Sequence, residues 1–176
     1  AFPSDKYAVE SQLRHHGFND KEGVVLWEPR KGEELLRFED LETILDQQGQ
    51  DIALIMVGGV NYYTGQFLDL KRITKLGHKH ECLVGFDCAH GAGNVELNLH
   101  DSGADFAVWC TYKYLNAGPG SLGGCFVHER HAYKKDLNRF TGWWSHNKQT
   151  RFKMRDEFDQ LPGAEGWQLS NPPILS

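Results

Sequence analysis

Long hydrophobic runs are what this 176-residue chain most plainly lacks. The longest apolar stretch, Ile52 to Val60, is too short to cross a bilayer, and nothing reads as a signal peptide. No membrane partner is therefore expected, and the cytoplasm is the expected compartment. A dense basic stripe is missing too. The net charge is −5, and the nearest candidate, Arg151-Phe152-Lys153-Met154-Arg155, is short and followed by acids. It reads as a solvated face, so no nucleic acid partner is expected. Cysteine is scarce: Cys82, Cys88, Cys110 and Cys125 only. Cys82, Cys110 and Cys125 border or sit in predicted core strands, which favours buried free thiols over a disulfide framework. Paired metal spacings are absent as well. His78, His80, Cys82, Cys88 and His90 fall close together, but no CxxC or HxxxH pair occurs among them. His78-Lys79-His80 reads as the polar end of a helix, and no metal is expected. Internal repeats and low-complexity segments are also missing.

What is present is an ordinary globular composition, 40% apolar and 24% charged, in a chain long enough to bury one sizeable core. Periodicity predicts helices over Asp5–His16, Phe38–Gln48 and Asp69–His80, with Leu41, Ile44 and Leu45 on one face of the second. A short helix is expected near Val95–Leu99. Strands are predicted over Val24–Trp27, Ile52–Val57, Cys82–Phe86, Phe106–Cys110 and Gly124–His128. The continuous apolar run Ile52–Val57 predicts a strand covered on both faces. This alternation specifies an α/β fold, a mainly parallel sheet flanked by helices. Beyond Arg130 the pattern weakens; Gly142-Trp143-Trp144-Ser145-His146 reads as an irregular aromatic loop, and Pro162–Gly166 and Asn171-Pro172-Pro173 as turns.

The richest segment is Thr111-Tyr112-Lys113-Tyr114, directly after the run Phe106–Trp109 and before a glycine-rich turn. A lysine between two tyrosines at a strand end is expected to be poorly hydrated, which favours the nucleophilic amine. Asp87 ends the earlier run Leu83–Phe86. The right-handed crossover rule places both strand ends on one edge of the sheet. Lysine and aspartate so placed are the layout a pyridoxal phosphate enzyme needs: the amine captures the cofactor, and the carboxylate keeps its ring nitrogen protonated. The bland alternatives are an exposed turn lysine and an aspartate that caps the next helix. Gly118-x-Gly120-x-x-Gly123 formally matches a dinucleotide fingerprint, but a strand-like run follows it where a helix is required, so it reads as a turn.

The stretch GFDCAHGAGNVELNLHDSGADFAVWCTYKYLNAGPG closely resembles kynureninases, fold type I pyridoxal phosphate hydrolases. The opening FPSDKYAVESQ and the closing GWQLSNPPIL resemble the same family, so the likeness runs from end to end. It implies that residues 1–176 are the central portion of the large cofactor-binding domain. The N-terminal segment and the C-terminal small domain would then lie outside this chain, and the isolated piece is expected to be inactive. The implied activity is hydrolysis of L-kynurenine or 3-hydroxy-L-kynurenine to anthranilate or 3-hydroxyanthranilate plus L-alanine, in tryptophan catabolism and NAD biosynthesis. The alternatives are another fold type I enzyme, such as a cysteine desulfurase-like lyase, and a non-catalytic nucleotide-binding domain. A mobile catalytic cysteine loop for the former is not evident.

Residue by residue, the resemblance implies Lys113, Tyr112 and Asp87 as catalytic. Lys113 would also shuttle a proton at the substrate α-carbon. Phe2, Pro3, Ser4 and Asp5 match the family's FPSD segment, with Phe2 against the cofactor ring and Asp5 near its polar edge. The plain alternative is a helix start with Ser4 or Asp5 as cap. His90 would line the cofactor, although an Asp87–His90 hydrogen bond would be an ordinary structural use. Asn94 reads as structural. Tyr112 would reach the phosphate or relay a proton. Gly58 departs from the family, which often has serine there, so only a backbone contact is expected. Trp143 and Asn171 would contact cofactor and substrate from the partner subunit of a homodimer.

Overall fold

The computed structural model describes residues 1–134 and 136–174. Helices α1 (Pro3–His15) and α2 (Phe38–Gln48) precede strand β1 (Leu54–Gly58). Then come helix α3 (Leu70–Lys79), β2 (Leu83–Asp87), α4 (Leu99–Ser102), β3 (Phe106–Cys110) and β4 (Gly123–Val127). The strands form one sheet in the order β1-β2-β3-β4. The first three run parallel, and β4 returns antiparallel to β3. Short 3-10 turns and loops make up the rest of the described C-terminal region.

One face of the sheet carries the core. Leu41 and Leu45 from α2, and Leu70 and Ile73 from α3, pack on Ile55, Val84, Phe86 and Ala107. Helix α3 rests close to the sheet because Gly77 has no side chain; a Cβ there would press on Val84 and Ile55. Its start is fixed by Asp69, whose carboxylate accepts from Arg72 N at 2.9 Å. The opposite face carries Leu54, Leu83, Val108 and Cys125, all exposed. The run Ile52–Val57 is thus not covered on both faces: both large helices of the βαβ region lie on the same side of β1.

Three other expectations are corrected. Val24–Trp27 is extended but joins no ladder; Trp27 instead anchors it, donating its indole N–H to Arg37 O at 3.1 Å. The short helix begins at Leu99, where the expected one ended. Of the four free thiols Cys82 and Cys88 are buried, whereas Cys110 is half-buried and Cys125 exposed, because they lie on the open face of the sheet.

A buried carboxylate ties the elements together at the edge where β2 and β3 begin. Asp105 accepts from His78 Nε2 at 2.8 Å, His131 Nε2 at 2.7 Å and Val84 N at 2.8 Å. It links the end of α3, the start of β2 and the turn after β4.

Candidate active site at the sheet edge

The strand directions bring the first cluster together. Gly58, at the end of β1, is the register partner of Asp87, at the end of β2, and Asp87 pairs with Val108 of β3. Gly59 N donates to Asp87 O at 2.8 Å. Lys113 lies three residues beyond β3 at the same edge. The two strand ends thus share one edge, as the parallel arrangement requires.

Helix α1 adds Phe2 and Asp5. Pro3 occupies the first turn, and Phe2 is the N-cap, with no side-chain capping bond. Neither Ser4 nor Asp5 caps the helix, because the helix starts too early for them. The carboxyl of Asp5 is left free to face Asp87. Burial, then Asp87, raises the Asp5 pKa to about 6, although the terminal amine and Lys113 pull it back. Asp87 also accepts from Ala89 N at 2.7 Å, so the expected turn-capping use is present as well.

Lys113 is half-buried, and its Nζ lies 6.0 Å from the Phe2 ring centroid and 5.9 Å from that of Tyr112. The two flanking tyrosines do not enclose it; both are largely exposed. Cys110, close to Tyr112, raises its phenol pKa, and Tyr114 sets its ring 6.4 Å from that of His90. Burial, then the charge of Lys113, lowers the His90 pKa, against a smaller opposing pull from Asp87. No His90–Asp87 hydrogen bond is present among the described residues; His90 O instead accepts from Asn94 Nδ2 at 3.0 Å, the structural use expected of Asn94. Behind Phe2 stands Tyr62, edge-on at 5.1 Å, a neighbour the sequence did not single out. Gly118 and Gly120 have positive φ and form the turn that leads into β4.

The segments that bear Trp143 and Asn171 meet in a second cluster. Trp144 N donates to Leu169 O at 3.2 Å, two residues from Asn171. Gly142 packs so tightly there that a Cβ would run into the Leu169 carbonyl. Trp143 faces Phe152 edge-on at 5.5 Å and lines a cleft of about 390 Å³ with Thr141, His146, Arg151 and Arg155. That cleft includes none of the sheet-edge residues. Among the described residues no hydrogen bond or ring contact joins the two clusters.

Chemically, the sheet edge offers an amine beside an aromatic face and two neighbouring carboxyls. Such a set suits capture of a carbonyl group on a flat ring whose nitrogen is held protonated.

The class-V aminotransferase profile matches residues 18–142, and this chain belongs to that family. Enzymes of the family depend on pyridoxal phosphate and have the fold type I architecture. Within it, the chain is 64% identical over 175 residues to a kynureninase of Myxococcus xanthus (strain DK1622), covering 99% of this chain and 41% of that protein. It is 57% identical to a kynureninase of Koribacter versatilis (strain Ellin345), covering all of this chain and 42% of that protein. The chain therefore spans about two-fifths of the length of the curated relatives it matches. Among solved structures, the apo cysteine desulfurase of Thermococcus onnurineus NA1 aligns with a TM-score of 0.56 at 19% identity. That alignment covers 79% of this chain and 32% of the other, a likeness of fold alone.

Proposed function

We propose that this chain forms the cofactor-binding centre of a kynureninase. The enzyme would hydrolyse L-kynurenine or 3-hydroxy-L-kynurenine to anthranilate or 3-hydroxyanthranilate plus L-alanine, in tryptophan catabolism and NAD biosynthesis. The observation that carries this is the 64% identity to a kynureninase across 99% of the chain, with Lys113 and Asp87 on the shared sheet edge.

The residues at the edge fit pyridoxal phosphate: an amine, an aromatic face, a carboxyl pair and the small Gly58 stand together there. When bound, the cofactor supplies the electron sink for bond breaking at the substrate α-carbon. Lys113 holds the cofactor through Nζ and then moves a proton at that carbon. Asp87, with Asp5 beside it, would hold the proton at the ring nitrogen. The Phe2–Asp5 segment, Pro3 and Ser4 included, would help to hold the cofactor, with Phe2 offering an aromatic face to its ring. Gly58 offers its backbone N–H, and His90 lines the ring. Tyr112 would reach the phosphate or relay a proton. Trp143 and Asn171 lie apart from Lys113 in this chain, which favours their serving a partner subunit's site in a homodimer. Their indole and amide N–H groups suit anionic oxygens.

Four free thiols suit a reducing compartment, and among the described residues no helix is long and apolar enough to cross a membrane. We place the enzyme in the cytoplasm. The test is alanine release from both kynurenines by the full-length holoenzyme. Release from neither substrate overturns the proposal.

A further inference from the structure

The loop from Thr141 to Thr150 has no regular ladder, so its carbonyls need other donors. Leu161 N serves Ser145 O, Thr150 N serves Asn147 O, and Arg151 serves two more. Its Nη2 donates to Trp144 O and to His146 O, both at 2.9 Å. The guanidinium carbon lies 4.6 Å from the Trp144 ring centroid and 5.5 Å from that of Trp143. Both distances fall within cation–π range. Arg151 is only 5% exposed.

A buried charge is costly unless it is compensated. The ion-paired arginines among the described residues are Arg14, Arg30, Arg37, Arg72 and Arg130, and Arg151 is not one of them. Its Nε is buried without a hydrogen-bond partner among the described residues. The compensation comes from two loop carbonyls and two indole faces. The charge and the loop conformation therefore depend on each other.

Phe152, the next residue, presses edge-on against the Trp143 ring. Arg151 and Phe152 thus hold the indole from two directions. The Trp144 N to Leu169 O bond carries the same constraint to the segment that bears Asn171.

We propose that Arg151 is a positioning residue: it fixes the Trp143 indole and the Asn171 segment in the arrangement that receives the cofactor's phosphate. This rests on the reading of Trp143 and Asn171 given under Proposed function. Lysine in its place keeps the charge but loses the planar fork that reaches two carbonyls while lying against two rings.

The test is the dissociation constant of pyridoxal phosphate, measured by fluorescence titration of the full-length protein. Wild type, Trp143→Phe, Arg151→Lys and the double variant are compared, with far-UV dichroism to check the fold. Each single variant is expected to weaken binding about tenfold, a change typical of one lost interaction. The double variant is expected to fall short of the product of the two single effects, because both act on the Trp143 indole while Arg151 also holds the Asn171 segment. Guanidinium added to Arg151→Ala is expected to restore part of the affinity. Wild-type affinity in Arg151→Lys alongside weakened Trp143→Phe overturns this inference alone. Multiplied effects in the double variant do the same. Wild-type affinity in Trp143→Phe overturns the reading of Trp143, and the inference falls with it. Should Arg151→Lys not fold, Trp144→Leu removes one ring face but keeps the arginine; wild-type binding there also overturns the inference.

Discussion

Asp5, in the first turn of α1, stands beside Asp87, at the end of β2. Burial and that neighbouring carboxylate both disfavour the charged form of Asp5, so it keeps its proton to a higher pH than an ordinary carboxyl.

This pair gives a signed pH dependence. The folded-state pKa of Asp5 is about 6, above its ordinary value of 3.8. Between these values the folded state binds the extra proton. The stability contributed by Asp5 is therefore present in full below 3.8 and is lost as pH rises through about 6. Denaturant midpoints of cofactor-free protein, taken from pH 4 to pH 7 for wild type and Asp5→Asn, measure it. The difference between the two curves should change across that window; parallel curves would refute the raised Asp5 pKa.

Lys113→Ala should abolish covalent capture of pyridoxal phosphate. The motive is its half-buried amine between the Phe2 and Tyr112 rings. Borohydride reduction of the wild-type holoenzyme followed by peptide mapping should place the cofactor on Lys113. A reduced cofactor on Lys71 or any other lysine would refute the assignment.

Asp87→Asn should leave the fold intact, because an amide oxygen still accepts from Ala89 N. The chemical step should slow by about 10²-fold or more, the usual consequence of removing a preorganised charge partner. Single-turnover kinetics with kynurenine would show it, and near-normal turnover would rule out the role.

Asp105→Ala should cost about 3 kcal/mol, since it strands His78, His131 and Val84 N around a buried gap. Burial pushes the Asp105 carboxyl up, but the bonds from His131, His78 and Val84 N outweigh it and hold the pKa below its ordinary value. Its stabilisation is therefore present above the unfolded pKa and lost as pH falls through the folded one. Urea unfolding at neutral and acid pH measures both effects; equal stability of variant and wild type at neutral pH would contradict them.

Mixed dimers test the shared site. One subunit carries Lys113→Ala and the other Asn171→Ala. If sites are shared, one site collects both defects and the other none, so activity partly returns on mixing. No recovery despite demonstrated subunit exchange would mean that each subunit builds its site alone.

The elements legible in the sequence are those whose signal is local. Helix Phe38–Gln48 shows in the spacing of Leu41, Ile44 and Leu45, and β3 shows in Phe106–Cys110. Both have the expected bounds, because side-chain periodicity reflects which face is buried. Val24–Trp27 has the same apolar character, yet joins no ladder; Trp27 is held by Arg37 O, a contact that no local pattern signals. Lys113 and Asp87 could be placed on one edge because crossover handedness is a general rule and each residue follows its own strand.

The sequence alone thus determined the α/β alternation, the strand ends that bear Lys113 and Asp87, and the family likeness. Only the tertiary structure decided the Asp5–Asp87 pair, the three donors around Asp105, and Arg151 beneath Trp143 and Trp144. The first two join residues far apart in the chain, so nothing local foretells them. Arg151 lies near the tryptophans in sequence, but its stretch reads as a solvated face; burial depends on how an irregular loop folds back, and no periodicity encodes that.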